Sequence, residues 1–77
     1  MSTIITSVDR HSPAERAGIA AGEQLLTING HEIIDVLDYR FYGYDTDCRL
    51  ELREPSGAVR TVSLRKPEGR DLGLNFD

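Results

Sequence analysis

The side chains in this sequence whose types could do chemistry are few, and they do not converge. His11 and His31 each flank a turn, and neither has a second histidine or a cysteine at metal-ligand spacing, so both read as solvated surface groups. The single cysteine, Cys48, follows Asp45 and Asp47 in a turn. Nearby carboxylates raise a thiol's pKa and disfavour a nucleophilic role, so Cys48 is expected as a small, half-buried strand residue. The remaining carboxylates are scattered along solvent faces, with no pair placed for acid–base work. The GRDLG of residues 69–73 is not a nucleotide loop, because it precedes a strand and not a helix. No catalytic residue, metal ligand or cofactor is assigned to this chain.

One run can bind without reacting. Asp71, Leu72, Gly73 and Leu74 form a hydrophobic–glycine–hydrophobic segment entering a strand, which lets consecutive backbone N–H groups point into one concavity. Such a nest holds an anion, for instance the terminal carboxylate of a peptide, and Arg70 just before it is placed to add a charge. Taken alone, the LGL run is better explained as plain core strand. Its weight depends on the elements around it.

Those elements are organised by residues 12–30 (SPAERAGIAAGEQLLTING). Ser12 suits a helix N-cap, Pro13 the first helical position, and Glu15 the third residue of a capping box. Gly18 fits the left-handed corner that ends a short helix. Gln24–Ile28 alternates polar and apolar residues at its ends like a half-buried strand, and Asn29 and Gly30 make the dipeptide most at home in a tight hairpin.

Before this stretch, residues 3–8 (TIITSV) predict a first strand, with Ile4 or Ile5 and Val8 inward. After it, residues 32–34 form a short second hairpin arm. Asp35 then caps a helix over residues 36–42, ended by Gly43. Four of the five aromatic residues, Tyr39, Phe41, Tyr42 and Tyr44, fall here. Phe41 is expected in the core, while the tyrosines fit either core or a recognition surface. Residues 49–53 (RLELR) alternate strictly, with Leu50 and Leu52 on one face. A turn at residues 54–57 leads into residues 59–64 (VRTVSL), where Val59 and either Val62 or Leu64 are expected to be buried. A polar linker over residues 65–70 precedes the final apolar run, which is expected to continue beyond Asp77 in a longer protein.

Seventy-seven residues make one domain, whose core yields about 3–5 kcal/mol of net stability. A hydrophobic content of 39% and a charged content of 29% fit a globular chain rather than a disordered one. The net charge of −4 argues against nucleic acid or an anionic membrane surface as the main partner. With no apolar run of spanning length, no signal-like N-terminus and one cysteine, the expected location is the cytoplasm.

Taken together, TIITSV, SPAERAG, a glycine-plus-acid corner and LLTING resemble the central segment of a PDZ domain, and the likeness continues through the helix at Asp35 and the hairpin of residues 49–64. In most animal PDZ domains the carboxylate-binding loop precedes this segment. Here DLGLNF follows it, so the chain resembles a circularly permuted PDZ-type domain, in which the terminal segment closes the sheet from the other end. The resemblance implies an α+β fold: a small, partly open antiparallel barrel or sandwich of five to six strands with two short helices. It puts Asp71, Leu72, Gly73 and Leu74 in the place of the Gly-Leu-Gly-Phe loop, and Asn75 and Phe76 at the start of the strand a ligand would extend. The helix forms the opposite wall. The cap at Asp35 turns Val36 and Arg40 toward the groove, with Tyr39 beside them, whereas the Leu37/Phe41 spacing would put those two there. The cap frame is favoured because Leu37 and Phe41 are then core.

Two departures stand out. Asp71 replaces a glycine at the mouth of the carboxylate site and would repel an anion, and Glu23 stands where an aspartate is usual. The DVLDYRF helix and the DLGL-x-F ending also resemble small PDZ-like domains at the N-terminus of bacterial proteins described as iron–sulfur, radical-SAM-like oxidoreductases. The implied function is that of a monomeric, non-catalytic module that pairs with an extended or C-terminal peptide by β-augmentation. The alternative is an intramolecular docking or substrate-positioning domain of such an oxidoreductase, with the groove filled by its own chain. A small metal-dependent enzyme would need ligands the chain does not have.

Overall fold

A computed structural model describes residues 2–77. Its strands are β1 (Ile5–Val8), β2 (Gln24–Ile28), β3 (His31–Glu32), β4 (Asp47–Arg53), β5 (Val59–Arg65) and β6 (Leu74–Phe76), with helices α1 (Pro13–Arg16) and α2 (Val36–Tyr42). They form two antiparallel sheets, β3-β2-β4-β5 and β1-β6, with no closed barrel. This is the small α+β architecture the sequence implies. Among the described residues no helix is long and apolar enough to cross a membrane.

The helices start where their caps dictate. Ser12 is extended and its hydroxyl accepts the Glu15 N–H at 3.2 Å, with Pro13 opening α1. The Glu15 carboxylate reaches back one residue further than in a capping box and accepts the His11 N–H at 2.7 Å. In α2 the box is complete. Asp35 accepts from the Leu37 and Asp38 N–H groups at 2.9 and 3.0 Å, and Asp38 accepts from the Asp35 N–H.

The central hairpin turns through Asn29 and Gly30, both at positive φ (51° and 82°), which matches the twist of the flanking strands. Asn29 also fixes the hairpin to β4. Its amide donates to the Asp47 carbonyl at 3.1 Å, and its side-chain oxygen accepts the Arg49 N–H at 2.8 Å. Strand β4 then pairs with β5 without a break from Asp47↔Arg65 to Arg53↔Val59.

Strand β1 joins the two sheets. On one side it pairs with β6. On the other, the Ile5 N–H donates to the Glu23 carbonyl, the Gly22 N–H to the Ile5 carbonyl, and the Leu25 N–H to the Thr3 carbonyl, all at 2.8–2.9 Å. One core runs through this junction, centred on Ile5, Leu25, Ile28, Leu50, Leu52 and Leu72, with Ala14 and Tyr39 sealing it from the helices.

The alternation in β4 buries Leu50 and Leu52 as expected, and Val62 rather than Leu64 is the buried partner in β5. Three apolar expectations are corrected. Val59 is exposed, because it lies at the end of the β4–β5 ladder beyond the core. Leu37 and Phe41 are 70% and 74% exposed. With the cap frame in place, Tyr39 is the residue α2 turns into the core, and Leu37 and Phe41 fall on the opposite side. Ile5, not Ile4, points inward from β1.

Candidate functional site

Helix α2 and strand β6 face each other across a groove. Val36, Tyr39 and Arg40 line it from the helix, Leu74, Asn75 and Phe76 from the strand, and Asp71 and Asp77 stand at its ends. Of the residues expected at the site, these seven besides Asp77 come together. Leu72 and Gly73, in the loop itself, are buried. Arg70 lies elsewhere: its side chain lines a separate hollow between α1 and the end of β5, with Pro13, Arg16, Ser63 and Lys66. The reason is local. The turn before the loop, closed by the Arg70 N–H donating to the Pro67 carbonyl, carries Arg70 back toward β5.

The loop backbone is held on both sides. The Ala14 N–H donates to the Leu72 carbonyl at 2.9 Å, and the Asp9 N–H to the Gly73 carbonyl at 2.8 Å. Gly73 has φ 94°, and a Cβ there would overlap the Ser12 side chain, so both the backbone conformation and the packing demand glycine. Beyond the loop, β6 pairs among the described residues with β1 alone, which leaves its other edge facing the groove. The Leu74 N–H points to that open edge, and the Asn75 carbonyl points the other way, accepting the Thr6 hydroxyl. Alternation along a strand then puts the N–H and carbonyl of Phe76 on the groove side. Phe76 is half-buried, its ring set edge-on to Tyr39 at 5.1 Å between centroids.

Two of the consecutive loop N–H groups expected to hold a carboxylate, those of Gly73 and Leu74, already have partners within the chain. The Gly73 N–H donates to Asp71 Oδ2 at 2.8 Å. The Leu74 N–H donates to the Tyr39 hydroxyl at 3.1 Å, and that hydroxyl donates in turn to Asp71 Oδ2 at 3.2 Å. Burial, with a further push from the Asp71 charge, raises the Tyr39 phenol above its ordinary value against the opposing effect of the Leu74 N–H, so it keeps a proton to donate. Asp71 was expected to repel an anion at the mouth of the site. The sequence did not reveal that its carboxylate lies in the loop, tied down by a tyrosine from the far wall. The only available signal was the pair itself: an acid at the loop's first position and a tyrosine on the inward face of the capped helix.

The aromatic cluster splits between the two sides of α2. Tyr39 faces inward. Tyr42 stacks on His31 at 4.1 Å, Phe41 meets Tyr42 edge-on at 5.0 Å, and with Tyr44 they line a second hollow on the outer side. Cys48 is more deeply buried than the half-buried position expected of it, and its thiol hydrogen-bonds the Asp45 carbonyl at 3.3 Å. Burial first, then Asp45 and Asp47, push its pKa up against the nearby Lys66, so it is held as the unreactive thiol. Among the described residues no group of three His, Cys, Asp or Glu side chains comes together to hold a metal.

The family model for the PDZ domain matches residues 4–54, more than half of the 77-residue chain. The chain therefore belongs to the PDZ domain family, whose members are in general non-catalytic modules that bind peptide segments of other proteins. No match was found among curated proteins.

Proposed function

We propose that this domain binds an extended protein segment as an added strand on the open edge of β6, against α2. The observation that carries this reading is the geometry of β6: a strand paired on one side only, whose free edge faces a groove lined by Val36, Tyr39, Arg40, Leu74 and Phe76. Main-chain bonds to the Leu74 carbonyl and to the N–H and carbonyl of Phe76 supply affinity, and the side chains of α2 choose what enters beside them. In this reading the domain is a circular permutation of the usual order. Its family match opens next to β1 and ends at residue 54, while the loop and ligand-facing strand come after β5 and pair back onto β1. An amide-shift titration with peptides selected from a random library tests it. Shifts are expected at Leu74, Asn75 and Phe76 and along α2. Peptides whose shifts map to the β4–β5 face instead would overturn it.

A second reading is favoured by Asp71 in the loop, which leaves no requirement for a free peptide terminus. The domain then docks or positions a segment of its own parent, an iron–sulfur, radical-SAM-like oxidoreductase, with no cofactor in the domain itself. The residues that follow Asp77 in the gene decide this. A cysteine cluster there supports it, and a chain that ends without one removes it.

A further inference from the structure

We infer that the groove takes an internal extended segment and discriminates against a free C-terminal carboxylate, because Asp71 and Tyr39 already fill the place where such a carboxylate would sit. This rests on strand addition at β6 and names the class of segment added.

Two donors of the loop, the N–H groups of Gly73 and Leu74, meet an acid and a hydroxyl of the chain at 2.8 and 3.1 Å. The acid and the hydroxyl are bonded to each other at 3.2 Å, so the three contacts form one closed unit across the groove end. Tyr39 is 4% exposed and cannot swing aside without opening the core. The loop that presents the donors is itself fixed through the Leu72 and Gly73 carbonyls. A terminal carboxylate entering here must displace Asp71 from the Gly73 N–H and then lie beside it, two like charges at one site. The rest of the groove does not compensate: Arg40 contributes one positive charge against the negative charges of Asp71 and Asp77. An internal segment brings no terminal charge. It leaves the Asp71–Tyr39 unit intact and still finds the groove-facing backbone groups of β6. The second oxygen of Asp71, Oδ1, takes no hydrogen bond among the described residues, and Asp71 is exposed, so it offers an acceptor to an amide N–H or a basic side chain of that segment.

The test uses two random-peptide libraries of equal length panned on the 77-residue chain, one displayed with a free C-terminus and one embedded between fixed flanking residues. Peptides from the embedded library are then synthesised in two forms, acetylated and amidated, or cut to end in a free carboxylate beside Asp71. The amidated form is expected to bind at least about tenfold more tightly, a difference of about 1.4 kcal/mol. Asp71→Gly removes the acid and is expected to narrow or invert that ratio. Asp71→Asn, which keeps an oxygen for the Gly73 N–H, should narrow it less, and it carries the comparison if the glycine variant loses its dispersed amide spectrum. Free-carboxylate peptides that bind the unmodified chain as tightly as the amidated ones, or a ratio untouched by either substitution, overturn the inference while leaving the groove in place. If neither library yields a ligand whose shifts map to β6 and α2, the groove proposal fails and takes the inference with it.

Discussion

At the scale of single residues, Gly73 carries the tightest demand in the molecule. Its positive φ would strain any side chain, and a Cβ would also be driven into Ser12, the residue that caps α1. Gly73→Ala should therefore lower unfolding stability by about 3 kcal/mol, combining backbone strain with overpacking. Urea denaturation measures it, and a loss under about 1 kcal/mol would mean that the loop moves away from α1 at little cost. In the sequence Gly73 stood out only as the middle of an LGL run, because Ser12 lies at the other end of the chain and nothing local records their contact. The same limit explains Arg70. Its neighbours in sequence placed it at the loop, while the turn closed on Pro67 sends its side chain to another face. The helix cap is enough to put Tyr39 beside the groove, but its bond to Asp71 depends on where two distant backbones come to rest.

At the scale of elements, α2 shows which local signals survive folding. A seven-residue helix is unstable alone, so its cap and its one buried face decide whether the groove has a wall. The cap was legible, since Asp35 followed by Asp38 three residues later is a short-range pattern that the backbone satisfies within itself. The face was only half legible. The i, i+4 pair Leu37 and Phe41 suggested core, yet the sheet can receive only the stripe the cap turns toward it, and that stripe carries Tyr39. The strands were read more securely: the alternation in β4 and the turn pairs on either side fix its register without reference to distant residues. Asp35→Ala should cost about 1 kcal/mol. Its mark would be faster hydrogen exchange at the N–H groups of Tyr39 and Gly43, which close the helix, with the amides of β4 and β5 little changed. Uniform acceleration across the chain would show that α2 does not open separately from the sheet.

At the scale of the whole molecule, one ion pair ties regions that no strand ladder connects. Glu23 sits at the corner before β2, with its side chain only 6% exposed, and accepts from Nη2 and Nε of Arg60 in β5 at 2.7 and 2.9 Å. Arg60 also donates to the Gly18 carbonyl just past α1, and Glu23 accepts the Ala20 N–H, so the pair gathers the α1–β2 connection onto β5. The hydrogen bonds from Arg60 hold the Glu23 carboxyl below its ordinary value of 4.5, against the opposing effect of burial. The folded chain therefore takes up this proton at lower pH than the unfolded chain does. The stabilisation is fully present above pH 4.5 and is lost as pH falls through the depressed value. Glu23→Gln removes the charge and keeps the shape. At neutral pH it should be less stable by about 1–2 kcal/mol, a modest figure because the Arg60 side chain is about a third exposed and can be rehydrated. On acidification both chains weaken as their other carboxylates protonate, so the informative quantity is the gap between them. Urea midpoints followed from about pH 7 to about pH 3 should show that gap constant above pH 4.5 and shrinking below it. A gap that stays the same to the acid end would mean that Glu23 contributes through packing and neutral hydrogen bonds, and that the charge on Arg60 does not hold the corner to the sheet.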